Sequence, residues 1–369
     1  MTAFRTRRTE AADEAELNSV FNRFIGRRTP GKTRSIDQMR WLWHKAPGGK
    51  ALSWLIEAQS GSSWKIVGHH ALGPVRFTFG DEDWLCAKTM NSFLLPEYRD
   101  KFLYLRFEKD CLEESGRHFD ATYSIAPGTA RLRRPCGYEC DDSFLWLERS
   151  FRPHYLMCRA ASYLLGRHSL KARQNFSRAI SHLPAFCRSR TSTIEFAELT
   201  PEEAAASDFF ADFWAEARGG AGMAPRRDRA DLEWRFWKNP GFKGVTLTFT
   251  GAAGDQAYFI VDTADPLFYS LVDFYAVSVP AQRLGLLFDA LFDWCTRHGA
   301  LSMKFVTSTN GLPAPWMEVV SSRMRPFCVP IRSLAPSADL PRRLSPRGRT
   351  RLAKLPHWNY TPILIIDAF

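Results

Sequence analysis

No stretch of this 369-residue chain approaches the roughly 20 consecutive apolar residues that cross a bilayer as a helix. A helical membrane anchor is therefore not expected. Arg5, Arg7 and Arg8 are followed by acidic residues rather than by the apolar block of a secretory signal. The eight cysteines show no paired metal spacing, because Cys136-x-x-x-Cys140 stands without a second Cys/His pair. Reduced thiols in a cytoplasmic protein without a metal are the expectation. Gly-x-Ser-x-Gly, His-Glu-x-x-His and Gly-x-Gly-x-x-Gly are all absent, which removes the hydrolase elbow, the zinc-protease helix and the dinucleotide fingerprint. His69 and His70 are adjacent on a predicted strand, so they face opposite ways and cannot share a metal. Acidic residues are missing from Arg149 to Ile194, where Arg149, Arg152, Arg159, Arg167, Lys171, Arg173, Arg178, Arg188 and Arg190 are all basic.

What is present fits two domains of ordinary size, about 100–200 residues each. The chain is 45% hydrophobic and 14% aromatic, with a formal charge of +11, which fits a globular protein with real cores. The basic block, with a second basic stretch from Arg342 to Lys354, suits an anionic surface or partner. A solvated linker face is the alternative. No nucleic-acid signature accompanies the charge, so nucleic acid is not expected as a partner.

An eight-residue pattern occurs twice. Trp41-Leu42-Trp43-His44-Lys45-Ala46-Pro47-Gly48 matches Trp234-Arg235-Phe236-Trp237-Lys238-Asn239-Pro240-Gly241 at Trp, Lys, Pro and Gly. The order downstream is also kept. Leu95-Pro96-Glu97-Tyr98-Arg99 and Val279-Pro280-Ala281-Gln282-Arg283 each follow an apolar run. Each opens a helical pattern with a cysteine twelve residues after the arginine, Cys111 or Cys295, and a closing glycine, Gly116 or Gly299. One fold used twice is the reading.

Periodicity predicts a helix over Glu10–Phe24 and strands at Ser53–Ala58, Lys65–Leu72 and Trp84–Leu95. A turn plus helix from Pro96 to Gly116 and a strand over Phe119–Ile125 follow. The second half predicts helices over Pro201–Ala217 and Asp228–Lys238, then strands at Val245–Thr250, Gln256–Val261 and Phe268–Val279. Helix Pro280–His298, strand Leu301–Val306 and a terminal strand at Tyr360–Ile366 complete it. The fold class is α/β with mixed sheets (α+β mixed sheet). The expected division is 1–148 as a first domain, 149–194 as a basic, partly helical connector, 195–330 as a second domain and 331–369 as a basic tail.

The Trp-x-x-x-Lys-x-Pro-Gly helix end and the strand closing in Leu95-Pro96-Glu97-Tyr98-Arg99-Asp100-Lys101 carry a resemblance. The chain resembles the GNAT-type acyl-CoA N-acyltransferase superfamily in tandem form. It is also similar to acyltransferase-like proteins of surface-polysaccharide clusters and to double-domain FemAB transferases. The resemblance implies two GNAT-like domains, with acetyl-CoA or another acyl-CoA as co-substrate, no metal, and the amine of a small molecule, such as an amino sugar or amino acid, as acceptor.

It further implies that a strand N–H among Phe93, Leu94 and Leu95 polarises the thioester carbonyl. The following turn and helix N-terminus would hold the coenzyme A pyrophosphate. The family's Arg-x-x-Gly-x-Gly becomes Arg99-Asp100-Lys101-Phe102-Leu103-Tyr104, so both glycines are replaced. Arg99, Lys101 and Arg106 then supply charge for the phosphates. A tyrosine, Tyr138 or Tyr123, would protonate the thiolate; Glu97, Glu139 and His118 are candidate bases, with Glu97 in the turn itself.

Two other readings stay open: a catalytically inactive tandem module that docks to a membrane surface or partner enzyme, and a FemAB-like transferase using aminoacyl-tRNA. The basic connector leaves room for peripheral attachment at the inner membrane face. Gly26-Arg27-Arg28-Thr29-Pro30-Gly31-Lys32-Thr33 fits the P-loop spacing, but a helical pattern rather than a strand leads into it, so it reads as a basic loop.

Overall fold

The structure is a computed structural model. It describes residues 2–28, 33–99, 101–124, 133–151, 194–218, 223–308, 314–324 and 339–345, with positions 161, 164, 312 and 347. Most of the expected connector, the terminal strand Tyr360–Ile366 and part of the P-loop-like string lie outside the described residues. The chain forms two compact units, which divide at Ser143/Phe144; the described residues from Asp339 onward belong to the first. The expected boundary at 148 falls inside one strand.

The first unit is built on β1 (Phe4–Arg8), β2 (Leu52–Ser60), β3 (Ser63–Phe79), β4 (Glu82–Leu94) and β5 (Ala121–Tyr123). Strands β1 to β4 pair antiparallel in sequence order, and β5 runs parallel to β4. Helices α1 (Glu14–Arg28) and α2 (Ile36–His44) cover one face, and α3 (Lys101–Ser115) covers the other. Strand alternation sorts the side chains. Leu55, Ile66, Ala71, Met90 and Phe93 pack with Leu17, Val20, Met39 and Trp43 of the first two helices. Trp54, Ile56, Leu72, Ala87 and Leu94 pack with Phe107, Cys111 and Leu112 of α3.

Helix α2 begins at a Ser35/Gln38 capping box, in which each side chain bonds the other's backbone N–H. It ends where the first tryptophan motif turns. Gly48 suits that turn, since an added Cβ would lie only 3.0 Å from the Leu85 and Pro74 side chains, closer than ordinary contact. Asp120 fixes the start of β5: its N–H donates to Leu85 O, and its Oδ2 accepts from Leu85 N at 2.8 Å. Strand β6 (Glu139–Ser150) divides between the units. Its first residues pair with β13 (Asp339–Leu344), which also pairs with β5.

In the second unit the latter half of β6 pairs antiparallel with β12 (Ser302–Ser308), and β12 runs parallel to β11 (Phe268–Val277). Strands β10 (Gln256–Asp262), β9 (Gly244–Thr250) and β7 (Ala197–Leu199) follow, all antiparallel. Short strand β8 (Ala224–Pro225) precedes the motif helix. Helices α4 (Pro201–Ala206), α5 (Phe209–Ala217) and α6 (Arg229–Leu232) come early in the unit, and the second tryptophan motif opens as a π turn over Glu233–Trp237. Helix α7 (Ala281–Arg297) packs Leu284, Leu287, Phe288 and Leu291 against Phe259, Leu271 and Phe274, with α8 (Ala314–Met324) beside it. Each buried leucine contributes about 1.5–3 kcal/mol.

Gly299, at φ +83°, is the left-handed stop of α7, whereas Gly116 closes α3 without a positive φ. The two halves thus share an order, three antiparallel strands, a helix and a parallel strand. In both units the sheet is mixed, as expected from the sequence.

Candidate active site

Strand β4 keeps its parallel partner only over Cys86, Ala87 and Lys88, opposite Ala121, Thr122 and Tyr123. Beyond Lys88 it continues for six residues to Leu94, and among the described residues no strand pairs with it on that side. Among the described residues the ladder on that side of β4 therefore ends at Lys88, leaving a gap in the pairing.

The same stretch carries a bulge. Pairing with β3 shifts between His69/Phe93 and Ala71/Met90, leaving Asn91 and Ser92 opposite His70 alone. Asn91 takes φ +51°, a left-handed conformation that asparagine tolerates better than most residues. The bulge resets the alternation, so that Met90 and Phe93 face α1 and α2 while Leu94 faces α3.

Backbone alternation then selects one residue of the predicted trio. Leu95 N–H donates to Val67 O at 2.9 Å, toward β3. Successive N–H groups of a strand point to opposite edges, so Leu94 N–H points away from β3, into the gap. Phe93 N–H points toward β3.

Two adjacent histidines hold the bulge from opposite faces. His69 Nδ1–H donates to Asn91 O at 2.9 Å, so Nε2 is the acceptor for the Ser53 hydroxyl at 2.8 Å. Its ring stacks on Trp43 at 5.1 Å. Burial draws His69 down to about 3 and takes His70 well below its ordinary range, so both are neutral. On the α3 face, His70 Nδ1 lies 2.9 Å from Ser92 Oγ.

From Ser92 a buried polar cluster extends under α3. The Tyr104 hydroxyl lies beside Ser92 and Arg133. Arg133 Nε donates to Glu108 Oε1 at 2.8 Å, an ion pair with side-chain exposures of 3% and 0%. The Arg133 guanidinium lies over the Tyr138 ring, 5.7 Å from its centre. Burial pushes the Glu108 carboxyl up, against the pull of Arg133. Burial, with Glu108 nearby, takes the Tyr138 phenol well above its ordinary value, so it keeps its proton. His70 Nε2, Glu108 Oε2 and the Tyr138 hydroxyl are buried without a hydrogen-bond partner. Such atoms mark places where water or a ligand completes a site.

The predicted site residues separate into groups. Leu94 and Tyr138 belong to the bulge and its cluster. Tyr123 is fully buried in β5, edge-on to Phe77 at 5.8 Å. Glu97 is exposed in a 3-10 turn and lies 3.8 Å from Arg27. Arg99 is exposed at the end of that turn, with Nε 3.5 Å from Leu94 O. Lys101 is the first residue of α3. Arg106, exposed five positions later, lies about 140° further round the helix. His70, Ser92, Glu108 and Arg133 escaped the sequence reading. The one local signal was a break in alternation at Asn91-Ser92. Among the described residues no group of His, Cys, Asp or Glu could hold a metal ion, and no helix is long and apolar enough to cross a membrane.

The second unit fills the comparable place differently. Asp273, beside the β11 irregularity, accepts from Tyr258 Oη at 2.6 Å and pairs with Arg227 at 3.2 Å, all three fully buried.

No protein-family model matches this chain, and no curated protein matches it in sequence. Solved structures do match its shape. A conserved Enterococcus faecalis V583 protein described as a probable N-acyltransferase is 12% identical with a TM-score of 0.59, over 95% of this chain and 74% of that one. A GCN5-related N-acetyltransferase from Anabaena variabilis ATCC 29413 is 13% identical with a TM-score of 0.55, over 93% and 73%. Saccharomyces cerevisiae N-myristoyltransferase with bound myristoyl-CoA is 12% identical with a TM-score of 0.52, over 93% and 79%. The chain has the mixed α/β fold of these proteins.

Proposed function

We propose that this protein transfers an acyl group from an acyl-CoA thioester to the amine of a small molecule, and that the first unit performs the chemistry. The observation that carries this reading is the parting of β4 from β5 after Lys88, with the Asn91 bulge and Leu94 N–H directed into the opening. In the reaction the neutral amine attacks the thioester carbonyl carbon. A C–N bond forms, the C–S bond breaks, the amine nitrogen loses a proton and the thiolate gains one. Leu94 N–H is placed to donate to the carbonyl oxygen as charge develops there. Tyr138, protonated and without a hydrogen-bond partner, is the donor toward the sulfur. Glu108, raised by burial and with Oε2 free, is the nearby carboxylate able to accept the amine proton.

At the start of α3 the glycine cradle is replaced. Arg99 and Lys101 take over phosphate binding by charge, with the first N–H groups of the helix. The donor is acetyl-CoA or a longer acyl-CoA. In the second unit the Arg227–Asp273–Tyr258 cluster supports a non-catalytic role. The shared element order and the doubled tryptophan motif support descent from one fold used twice.

Melting temperature against coenzyme A, acetyl-CoA and longer acyl-CoAs tests the reading. Ligand at about 100 times its Kd adds about 2.7 kcal/mol of stability. Arg99→Ala with Lys101→Ala should raise the KM for acyl-CoA about tenfold or more while leaving the fold intact. No shift with any donor would leave a non-catalytic module.

A further inference from the structure

On the opposite face of the same sheet lies a guanidinium without a counter-ion. Arg34 precedes α2, and α1 holds its backbone by three hydrogen bonds. Asn22 Oδ1 accepts from Arg34 N at 2.9 Å, and the Asn22 and Asn18 amides donate to Arg34 O at 2.9 and 3.2 Å. Its side chain lies on the Phe21 ring, 4.1 Å from the centroid, and Nε makes one long contact to Asn18 Oδ1 at 3.4 Å. Both Nη atoms are shielded from solvent and have no hydrogen-bond partner. No carboxylate among the described residues pairs with Arg34; the nearby Glu14 is taken by Arg40 and His44, at 2.8 and 2.7 Å.

Burial draws the Arg34 guanidinium down to about 10, so it stays charged at neutral pH. A fixed, charged fork with two unused donors, seated on an aromatic ring, fits a planar anion held by two parallel hydrogen bonds. Its neighbours place it near the reacting strand. Phe21 packs against Phe93 at 5.9 Å and Phe24 stacks on Phe93 at 5.2 Å. Phe93 adjoins Leu94, and the Arg34 charge is felt at His69, which holds the bulge.

We infer that Arg34 receives the carboxylate of the acceptor, so that the amine acylated here belongs to an amino acid or a similar carboxylate-bearing amine with an apolar side chain. This deepens the acyltransferase reading and rests on it. The acceptor is then held from the α1 and α2 face while Tyr138 and Glu108 lie on the α3 face, so the amine proton reaches Glu108 through the opening by way of water. An amino sugar, which lacks the carboxylate, is disfavoured.

The test uses the full chain with three probes that differ at one group: L-leucine, L-leucinamide and 3-methylbutylamine. Inorganic phosphate is a fourth. Melting temperature reads binding without acyl-CoA, and coenzyme A release reads transfer. Leucine should raise the melting temperature, and the amide, the plain amine and phosphate should not. Arg34→Met should raise the KM for leucine about 10–150-fold, the range expected for lost hydrogen bonds to a charged group, with the KM for acyl-CoA unchanged. Arg34→Lys should fall between. A residue that merely packs would affect leucine and 3-methylbutylamine alike.

Equal use of leucine and 3-methylbutylamine by the wild type would overturn the inference, as would an unchanged leucine KM in Arg34→Met or stabilisation by phosphate alone. Because leucine binding is read without acyl-CoA, failure of the transferase reading shows up separately, as absence of any acyl-CoA shift.

Discussion

Ser92 Oγ lies 2.9 Å from His70 Nδ1, which ties the residue after the left-handed Asn91 back across the bulge to the neighbouring strand. His69, on the other face, bonds the Asn91 carbonyl. The dipeptide therefore fixes the one irregular segment of β4, and that segment sets which N–H faces the gap. Both rings do this in the neutral form.

Protonation should loosen that hold. The folded pKa of both histidines lies below the unfolded value of 6.5, so the unfolded chain binds more protons as pH falls below it. Their contribution is complete above about pH 6.5 and is lost toward the folded value, which is about 3 for His69. Each histidine should cost about 1.4 kcal/mol per pH unit in that window. Asp13, Glu14 and Glu57 are held by their arginine partners below the ordinary carboxylate values of 3.8 and 4.5, so their loss begins only below those values. Urea midpoints between pH 7.5 and 5, compared with those of a His69→Gln/His70→Gln variant, separate the histidines from Glu108 and Asp262, whose raised carboxyls act with the opposite sign; a difference between the two proteins that does not change with pH would contradict the buried, neutral state.

The Glu108–Arg133 pair makes a second case. Arg133→Met strands a buried carboxylate and should cost about 3–5 kcal/mol, whereas Glu108→Leu with Arg133→Met should recover most of it. Urea unfolding of the two variants decides this. Coenzyme A release should stay low in the recovered double variant if Glu108 takes the amine proton.

Tyr138→Phe separates chemistry from packing. The hydroxyl has no partner to lose, so the melting temperature should hold or rise. Turnover should fall about 10²–10⁴-fold, with the KM for acyl-CoA nearly unchanged. Unaltered turnover would remove Tyr138 from the mechanism.

Much of the frame was legible in the sequence. Helices α3 and α7 follow the expected spans because Pro96, Gly116, Pro280 and Gly299 bracket clear apolar spacing. Strand β3 runs seven residues past its expected end at Leu72, to Phe79. Gly73-Pro74 reads as a break, yet Gly73 sits where a Cβ would come within 2.3 Å of Met90. Strand β1 carries no apolar run to mark it in the sequence, where its arginines argue only against a secretory signal, although Arg5 and Arg7 pair with Glu57 at 2.6 and 3.0 Å along the sheet edge. The site was harder. Glu108 and Arg133 meet from a helix and a 3-10 segment that no short motif links, and the solitary charge of Arg34 emerges only once α1 and α2 are packed.

The placement of β13 bears on how the protein is made. Residues 339–344 pair with β5 and β6, so the first sheet to begin closes only after the described strands of the second have been made. A ribosome emits both strands of the second unit's parallel pair before it emits the strand that completes the first. The amino-terminal half must therefore wait, with the facing edges of β5 and β6 uncovered, until Asp339 and the residues after it are made. A nascent chain halted before Asp339 would hold the described strands of the second sheet and an unfinished first one.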